Sequence, residues 1–389
     1  MPSQSHIDTM HLREAIRLAR RAAGQTSPNP LVGAVLARGS RVIGRGWHHR
    51  AGLPHAEIEA FRDAEAQGNP VRGATLYVTL EPCSTHGRTP PCTDAVLRSG
   101  VRRVVVAAAD PNPRHAGRGF ELLRAAGIEV EHGRLAAESA AVNEAFNHWI
   151  VERTPFVTAK AAMTLDGKIA TASGDSKWIT GPASRAHAMR LRLLADATLV
   201  GIGTVLADDP SLTVRAVPGF RPPRWFPEKR RIVLDSRART PLSGHLVQDE
   251  ARDRTLVVVG DAAPPRRVAA LRERVSVLVA PTVDGRPDLR WLMPELGRIG
   301  ITHLLVEGGG EVLGAFFEAG LVHRTAFFYA PKILGGRDDR KAVAGGGFRS
   351  LATAPVLESV RSRRFGVDLF VTARVRSPQA AGDAPPVGS

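Results

Sequence analysis

The two cysteines of this 389-residue chain are the feature that most constrains its fold. Cys83 and Cys92 each follow a proline, and His55 precedes them with Glu57 two residues further on. One imidazole and two thiolates suit tetrahedral Zn²⁺ with a fourth position open to water, which is typical of a catalytic site. Glu57 is a poor fourth ligand here and a good carrier of protons between water and a leaving amine. This combination is the pattern of a zinc-dependent deaminase.

The spacing of His55 and Glu57 predicts where a helix begins. Residues two apart lie on opposite faces inside a helix, so both reach one site only at a helix start. Pro54 precedes the pair and apolar residues at helical spacing follow it, which predicts a helix from about His55. Pro90-Pro91 likewise predicts a second helix, over 93–98. We therefore expect both ligand groups at helix N-termini, where a thiolate is stabilised over a thiol.

The spacer between the cysteines differs from that of nucleic-acid deaminases, whose cysteines usually follow a Cys-x-x-Cys pattern. Here eight residues, 84–91, separate them. We interpret this spacer, with Gly87 and Arg88, as a substrate loop. The alternative for the whole set is a pair of buried free thiols and a surface histidine.

Length and composition bound the rest of the prediction. A chain of 389 residues is comfortable for two domains. It has no apolar run of membrane-spanning length and no signal-peptide pattern at its N-terminus, so we expect a cytoplasmic protein without a membrane partner. Both cysteines are assigned to metal, which leaves none for disulfides and agrees with a reducing compartment.

The charge of the chain favours anionic partners. Lys and Arg number 53 against 38 Asp and Glu, a formal net charge of +15. Such an excess suits nucleic acid or phosphorylated small molecules, although an arginine-rich proteome would produce it as well. The positive residues are scattered and aromatic residues are few, so we expect no nucleic-acid partner.

Residues up to 153 predict one α/β domain. An opening helix over 8–23 precedes an alternation of strands over 42–46, 74–80, 101–109 and 128–131 with helices over 117–126 and 135–151, which indicates a sheet with helices on both faces. Asn29, between two prolines, either reads the edge of a pyrimidine with its amide or is simply a turn residue. Pro155 disfavours helix before it, so we place the domain boundary after Arg153.

A second alternating series follows. Strands are predicted over 156–162, 197–202, 231–234, 255–259, 275–279 and 303–306, with helices over 182–194, 289–299 and 311–317. Gly308-Gly309-Gly310 joins the last strand to the last helix, and its bare N–H groups suit a pyrophosphate; the alternative is a turn without a ligand. We expect this domain to span 154–375, followed by a disordered tail over 376–389.

Together these motifs resemble a known family. The combination of Asn29-Pro30-Leu31-Val32-Gly33, His55-Ala56-Glu57 and 82–92 with the segments 163–168, 176–180, 204–215, 234–236 and 306–309 is similar to the bifunctional deaminase/reductases of riboflavin biosynthesis. The resemblance covers about residues 8–372. It implies a cytidine-deaminase-like three-layer domain followed by a dihydrofolate-reductase-like α/β domain, and a homo-oligomer.

The resemblance also implies the chemistry. A pyrimidine ribotide loses its 2-amino group by zinc-dependent hydrolysis, and NADPH then reduces the ribosyl group to ribityl. Carried over by position, the Zn²⁺ ligands are His55, Cys83 and Cys92, and Glu57 is the proton carrier. The substrate contacts of the reductase are Ser176, Arg192, Leu212, Arg215 and Glu307. Its NADPH contacts are Ala162, Trp178, Thr204, Asp208, Ser236, Gly309 and Gly310.

Two points remain open on the sequence alone. The Pro- and Arg-rich segment 216–230 does not map onto the family pattern, and a nucleic-acid (tRNA) deaminase with an accessory domain is the competing function. A preference for NADPH over NADH is predicted at Ser236, Arg237 and Arg239, since a hydroxyl and two guanidinium groups suit the extra phosphate; the alternative is that both arginines merely solvate a loop. Their neighbour Asp235 is expected to be structural.

Overall fold

The structure, a computed structural model, describes residues 3–86, 90–113 and 115–376. Gly87 and Arg88 of the predicted substrate loop, and the predicted tail after Arg376, lie outside these residues. The chain forms two compact units, one ending at Arg153 and one beginning at Thr154. Within the described residues, no helix is both long enough and apolar enough to cross a membrane.

The first unit is built on a five-stranded sheet in the order β2-β1-β3-β4-β5. Strand β1 is antiparallel to β2 and β3, whereas β3, β4 and β5 are parallel. The elements are β1 (Gly33–Arg38), β2 (Arg41–Trp47), β3 (Thr75–Leu80), β4 (Arg103–Ala108) and β5 (Glu129–His132), with α1 (Gln4–Ala19), α2 (Ala56–Ala66), α3 (Cys92–Ser99), α4 (Arg118–Ala125), α5 (Ala136–Val142) and α6 (Glu144–Glu152).

Alternate residues of these strands face two separate cores, which makes the unit three-layered. On one face Leu76 and its neighbours pack with residues of α2, α3 and α4. On the other face Tyr77 and Val105 pack with residues of α1. Because side chains alternate along a strand, nearly continuous apolar runs such as 104–107 can serve both cores.

The helix predicted over 135–151 is wrong in one respect: it is two helices that meet at Asn143. The Asn143 backbone has φ −110°, outside the helical region. Its side-chain Oδ1 accepts from the Leu31 N–H at 2.7 Å, and its Nδ2 donates to the Leu31 carbonyl at 2.9 Å. The Asn143 side chain therefore pairs with the Leu31 backbone as a neighbouring strand would. A continuous helix through Asn143 would remove this pairing.

The second unit is built on a nine-stranded sheet in the order β11-β10-β9-β8-β14-β6-β15-β18-β17. Its pairs are parallel except those that β18 makes with β15 and β17. The elements are β6 (Phe156–Thr164), β7 (Lys168–Ala170), α7 (Pro182–Leu194), β8 (Ala197–Gly201), α8 (Ile202–Asp208), β9 (Arg230–Leu234), α9 (His245–Gln248), β10 (Thr255–Gly260), α10 (Pro265–Arg272), β11 (Ser276–Ala280), β12 (Thr282–Val283), β13 (Arg286–Pro287), α11 (Leu289–Arg298), β14 (His303–Val306), α12 (Gly310–Glu318), β15 (Arg324–Ala330), β16 (Arg340–Lys341), β17 (Val356–Phe365) and β18 (Asp368–Arg376).

Two buried clusters cover the two faces of the parallel strands. One contains Leu199, Leu304 and Phe316, and the other contains Val200, Val233 and Val257. Strands β15, β17 and β18 go beyond the prediction, which stops at the helix after Gly310. They extend the sheet at its antiparallel end, whereas the parallel strands bring their carboxyl ends together at one edge.

Gly46 allows the closest approach between β2 and α2. A Cβ atom added at Gly46 would lie 2.2 Å from the Ala56 carbonyl oxygen and 2.4 Å from the Ala60 nitrogen. Both contacts are to helix backbone, which cannot move aside as a flexible side chain could. The glycine therefore fixes the distance between the sheet and the helix that starts after His55.

We predict that Gly46→Ala destabilises the first unit by at least about 1–3 kcal/mol, the usual range for overpacking. Urea unfolding followed by fluorescence measures this change. Gly203→Ala is the matched control, because a Cβ atom there meets nothing within 4 Å. Equal stability of Gly46→Ala and wild type would show that α2 is free to shift.

Candidate active sites

Three residues of the first unit bring their ligand atoms together. The His55, Cys83 and Cys92 ligand atoms all lie within 4.8 Å of one another. His55 Nδ1 is 3.1 Å from Cys92 Sγ and 3.6 Å from Cys83 Sγ. One nitrogen and two sulfurs at this separation fit the donor set that Zn²⁺ prefers.

Each of these residues is placed by the end of an element. His55 is the N-cap of α2, as its spacing from Glu57 predicts, and Cys92 is the first residue of α3. Cys83 lies in the loop after β3 and not at a helix start. The Cys92 N–H nevertheless donates to Cys83 Sγ at 3.3 Å, so the N-terminus of α3 stabilises the Cys83 thiolate. The hydrogen bond with the Cys92 side chain is the main cause that lowers the pKa of the Cys83 thiol to about 4, and His55 and the Cys92 backbone N–H add to it.

Glu57 lies in the first turn of α2 and is 3% exposed. Burial, with a smaller contribution from Cys83, raises the pKa of its carboxyl to about 7. A carboxyl with a pKa near the working pH can both accept and donate a proton. The position and environment of Glu57 therefore suit proton transfer next to the three ligand atoms.

A cavity of about 350 Å³ opens onto this cluster, and Asn29 lies in its wall. His48 Nδ1 lies 3.1 Å from the Pro54 carbonyl, and Asn29 Nδ2 lies 3.1 Å from His48 Nε2. A carbonyl only accepts, so His48 donates from Nδ1 and accepts the Asn29 amide N–H at Nε2. Burial lowers the pKa of His48, which agrees with this neutral form. The orientation of the Asn29 amide is thereby fixed.

The cavity is also lined by residues that the sequence did not single out. Asp110, Asn112 and His115 follow β4, and Phe146 lies on α6. The signal for the first three was available: β3 and β4 are parallel neighbours, so the Asp110-Pro111-Asn112-Pro113 loop emerges at the same edge as Cys83. No comparable signal marks Phe146.

The second unit contains a cleft of about 490 Å³ at the carboxyl edge of its parallel strands. It brings together most of the residues expected to bind substrate or NADPH. These are Ala162, Ser176, Trp178, Arg192, Thr204, Asp208, Leu212, Arg215, Glu307 and Gly309.

Two expected NADPH contacts, Ser236 and Gly310, do not line this cleft. Ser236 follows β9 and is partly exposed. Gly310 is buried at the start of α12, where an added Cβ atom would lie 2.1 Å from the Lys341 carbonyl oxygen. Gly310 thus permits close backbone packing under the cleft.

A buried group of charges lies in the cleft around Glu307. Arg192 donates from Nε to Oε1 at 2.6 Å and from Nη2 to Oε2 at 2.8 Å. Lys160 Nζ lies 3.6 Å from Oε2. Burial opposes ionisation of Glu307, but Arg192 and Lys160 outweigh it and lower its pKa to about 2. The Arg192 guanidinium is therefore paired with Glu307. Arg215 is exposed, so its guanidinium is the more accessible of the two to a ligand.

Lys160 was missed by the sequence analysis. Its signal is a lysine within the otherwise apolar run of β6, two residues before Ala162. A charged side chain on a central strand needs a buried partner, and Glu307 from the end of β14 supplies it.

The loop that carries Ser176 and Trp178 is held from one side by the segment 332–339. The Ala172 N–H donates to Asp339 Oδ1 at 2.7 Å, and Lys332 Nζ donates to the Trp178 carbonyl at 2.8 Å. The segment is anchored by Asp166, whose Oδ2 accepts from the Gly335 N–H at 2.7 Å. The Trp178 side chain is 62% exposed, and the Arg185 guanidinium lies 4.7 Å from its ring centre.

The structure also accounts for the segment that the sequence left open and for Asp235. The 216–230 segment folds back onto α7, where Phe220 packs against Ala186 and Met189. Asp235 is fully buried, and its Oδ2 accepts from the backbone N–H and the hydroxyl of Thr240, both at 2.7 Å. The structural role predicted for Asp235 is confirmed.

Comparison with known families and proteins assigns both units. Residues 5–108 match the cytidine and deoxycytidylate deaminase zinc-binding region, and residues 155–371 match the RibD C-terminal domain. The riboflavin biosynthesis protein RibD of Aquifex aeolicus is 42% identical over 366 residues, covering 94% of this chain and 98% of that protein. The RibD protein of Escherichia coli is 39% identical over 368 residues, covering 93% and 98%.

Solved structures agree with these matches. Acinetobacter baumannii RibD superposes with a TM-score of 0.84 at 34% identity, covering 96% of this chain and all (100%) of that one. A diaminohydroxyphosphoribosylaminopyrimidine deaminase/5-amino-6-(5-phosphoribosylamino)uracil reductase of Thermotoga maritima gives a TM-score of 0.81 at 34% identity, with the same coverage. The predicted α/β fold class, a cytidine-deaminase-like domain followed by a reductase domain, is confirmed.

Proposed function

Because this chain belongs to the RibD family of riboflavin-biosynthesis proteins, we propose that its two units catalyse consecutive steps on one pyrimidine ribotide. The first unit deaminates 2,5-diamino-6-(5-phosphoribosylamino)pyrimidin-4(3H)-one, and the second reduces the ribosyl group with NADPH to give 5-amino-6-(5-phosphoribitylamino)uracil. The observation that supports this most directly is the His55, Cys83 and Cys92 cluster beside the buried Glu57. The competing tRNA deaminase is disfavoured, since the RibD relatives align over both units.

In the deaminase, His55, Cys83 and Cys92 would hold Zn²⁺, which when bound activates water as a Lewis acid. Glu57 accepts a proton at its carboxylate and returns it to the leaving amine. Asn29, held by His48, presents its amide to the pyrimidine ring. The limits we propose for this domain are residues 1–153, with the reductase over 154–375.

In the reductase, Ala162, Trp178, Thr204, Asp208 and Gly309 would hold NADPH, which when bound supplies the two electrons of the reduction. Ser236 and Gly310 belong to the same proposed cofactor set, Ser236 beyond the cleft and Gly310 beneath it. Arg215 pairs with the substrate phosphate. Glu307, kept ionised by Arg192 and Lys160, accepts hydrogen bonds from the ribose hydroxyls. Ser176 and Leu212 complete the substrate contacts.

We also propose that the protein works in the cytoplasm, because thiolate ligands persist in a reducing compartment.

A homo-oligomer is proposed as well. Strand β17 is an edge of the nine-stranded sheet and exposes Val356, Leu357 and Val360, the last of them by 59%. The unpaired N–H and C=O groups of an edge strand can pair with another chain, and these three side chains offer apolar surface beside them.

The oligomer can be tested by light scattering coupled to gel filtration. We expect wild type to elute as an oligomer and Val360→Glu to shift toward the monomer, because a buried unpaired charge opposes association. A monomeric wild type would contradict the proposal.

The deaminase assignment predicts separate effects for ligands and proton carrier. Metal analysis should find about one zinc ion per chain in wild type and none in a Cys83→Ala, Cys92→Ala double variant. Glu57→Gln should keep the zinc and lose deamination by at least about a hundredfold, since an amide cannot accept the proton. Glu65→Gln, exposed on the same helix, is the matched control.

The reductase activity of the second unit is an internal reference for this experiment. All these variants should reduce deaminated substrate as wild type does. Chelation should stop deamination and spare reduction. If Glu57→Gln lost its metal and kept turnover, the assigned roles would be wrong.

The reductase assignment predicts a preference for NADPH over NADH set by Ser236 and Arg237. Hydrogen bonds to a charged group contribute about 1.5–3 kcal/mol each, so the ratio of kcat/KM values should be on the order of a hundredfold. Ser236→Ala and Arg237→Ala should each lower that ratio, whereas Arg266→Ala, exposed on α10, should not. An unchanged ratio in both variants would place phosphate recognition elsewhere.

A further inference from the structure

A second buried carboxylate, Glu81, lies in the wall of the deaminase cavity. It follows β3 directly and is 6% exposed. Its Oε2 accepts from the Asp110 N–H at 3.1 Å and from the Gly117 N–H at 3.0 Å, and its Oε1 accepts from the Gly119 N–H at 2.8 Å. One side chain thus binds three backbone amides, two from the stretch between β4 and α4 and one from the first turn of α4.

Two of those amides, at Asp110 and Gly117, lie on either side of residues that line the cavity. Asp110, Asn112 and His115 line the cavity between the first and second points held by Glu81. Asp110 Oδ1 in turn accepts from the Asn112 N–H at 2.9 Å. Asn29, His48 and Glu57 line the same cavity. The space available to a flat ring therefore depends on where Glu81 holds the lining residues Asp110, Asn112 and His115.

Glu81 and Glu57 are both buried in this cavity, but their surroundings differ. A carboxylate has roughly four acceptor positions, and at Glu81 three of them face backbone amides. Amide N–H groups do not give up their protons, so Glu81 is not arranged to move a proton. Its contacts instead fix the position of the chain.

The packing around Gly119 shows that α4 lies very close to the Glu81 side chain. An added Cβ atom at Gly119 would lie 2.5 Å from the Pro82 carbonyl oxygen and 3.1 Å from Glu81 Oε1. Only glycine lets α4 approach Glu81 this closely. Gly117, which caps α4, has φ +83°, a conformation that also favours glycine.

We propose that Glu81 is a positioning residue for deamination, holding the Asp110, Asn112 and His115 wall at the distance from Asn29 and His48 that the pyrimidine ring of the substrate requires. This rests on the proposed deaminase function. Loss of the Glu81 hydrogen bonds lets Asp110, Asn112 and His115 move. Substrate binding is then weakened in the ground state and the transition state alike. A uniform loss of binding raises KM and leaves kcat nearly unchanged.

The test uses the full-length, zinc-loaded protein and the pyrimidine ribotide. Glu81→Gln keeps the shape but turns its side-chain NH2 group, a donor, toward at least one backbone N–H, and Glu81→Ala removes every contact. We expect KM to rise at least about tenfold in Glu81→Gln and further in Glu81→Ala, with kcat within about threefold of wild type. Gly119→Ala, which presses on the same contact from α4, should also raise KM.

Controls separate positioning from folding and from the proposed function itself. Glu121→Gln, exposed on α4, should match wild type, and every variant should keep its zinc and its reductase activity. A fall in kcat that tracks zinc loss, with KM unchanged, would overturn the proposal, as would unchanged kinetics in all three variants. If wild type did not deaminate the ribotide at all, the proposed function itself would fail.

Discussion

The burial of Glu57 beside two thiols and an imidazole is the constraint on which the first unit depends. A buried carboxyl is costly to ionise, and here burial raises its pKa to about 7. That environment exists only because the starts of α2 and α3 and the end of β3 meet at one point. Gly46 sets the distance between sheet and helix that makes this meeting possible. The three-layer fold thus removes the Glu57 carboxyl from water, next to the ligand atoms of His55, Cys83 and Cys92.

The second unit buries a carboxylate for the opposite purpose. The Glu307 side chain is only 7% exposed, yet Arg192 and Lys160 lower its pKa to about 2. One carboxyl is thereby suited to carry a proton and the other to keep its charge and accept hydrogen bonds. Environments that separate the pKa values of similar groups are a general way to assign their roles. In this chain the separation distinguishes a hydrolytic site from a cleft for sugar and nucleotide.

The sequence was sufficient to predict those site residues whose chemistry is evident from their type and their order along the chain. His55, Glu57 and the cysteines could be predicted because few other arrangements use them together, and their spacing also located the start of α2. Asp110, Asn112 and His115 were missed although their loop follows a predicted strand, because placing that loop beside Cys83 requires the parallel pairing of β3 and β4 to be recognised. The break at Asn143 follows from a contact with Leu31, far away in the chain, that no local pattern reveals. Lys160 needed its partner Glu307 to be recognised.

The two units act in sequence on one substrate, each with its own chemistry. Mass spectrometry of the pyrimidine ribotide incubated with the full chain tests it most directly. Without NADPH, we predict accumulation of a product in which one exocyclic amino group has become a carbonyl oxygen. Added NADPH should then convert that product to one with two more hydrogens. Reduction of the diamino compound before its deamination, or no deamination in the absence of NADPH, would contradict the account.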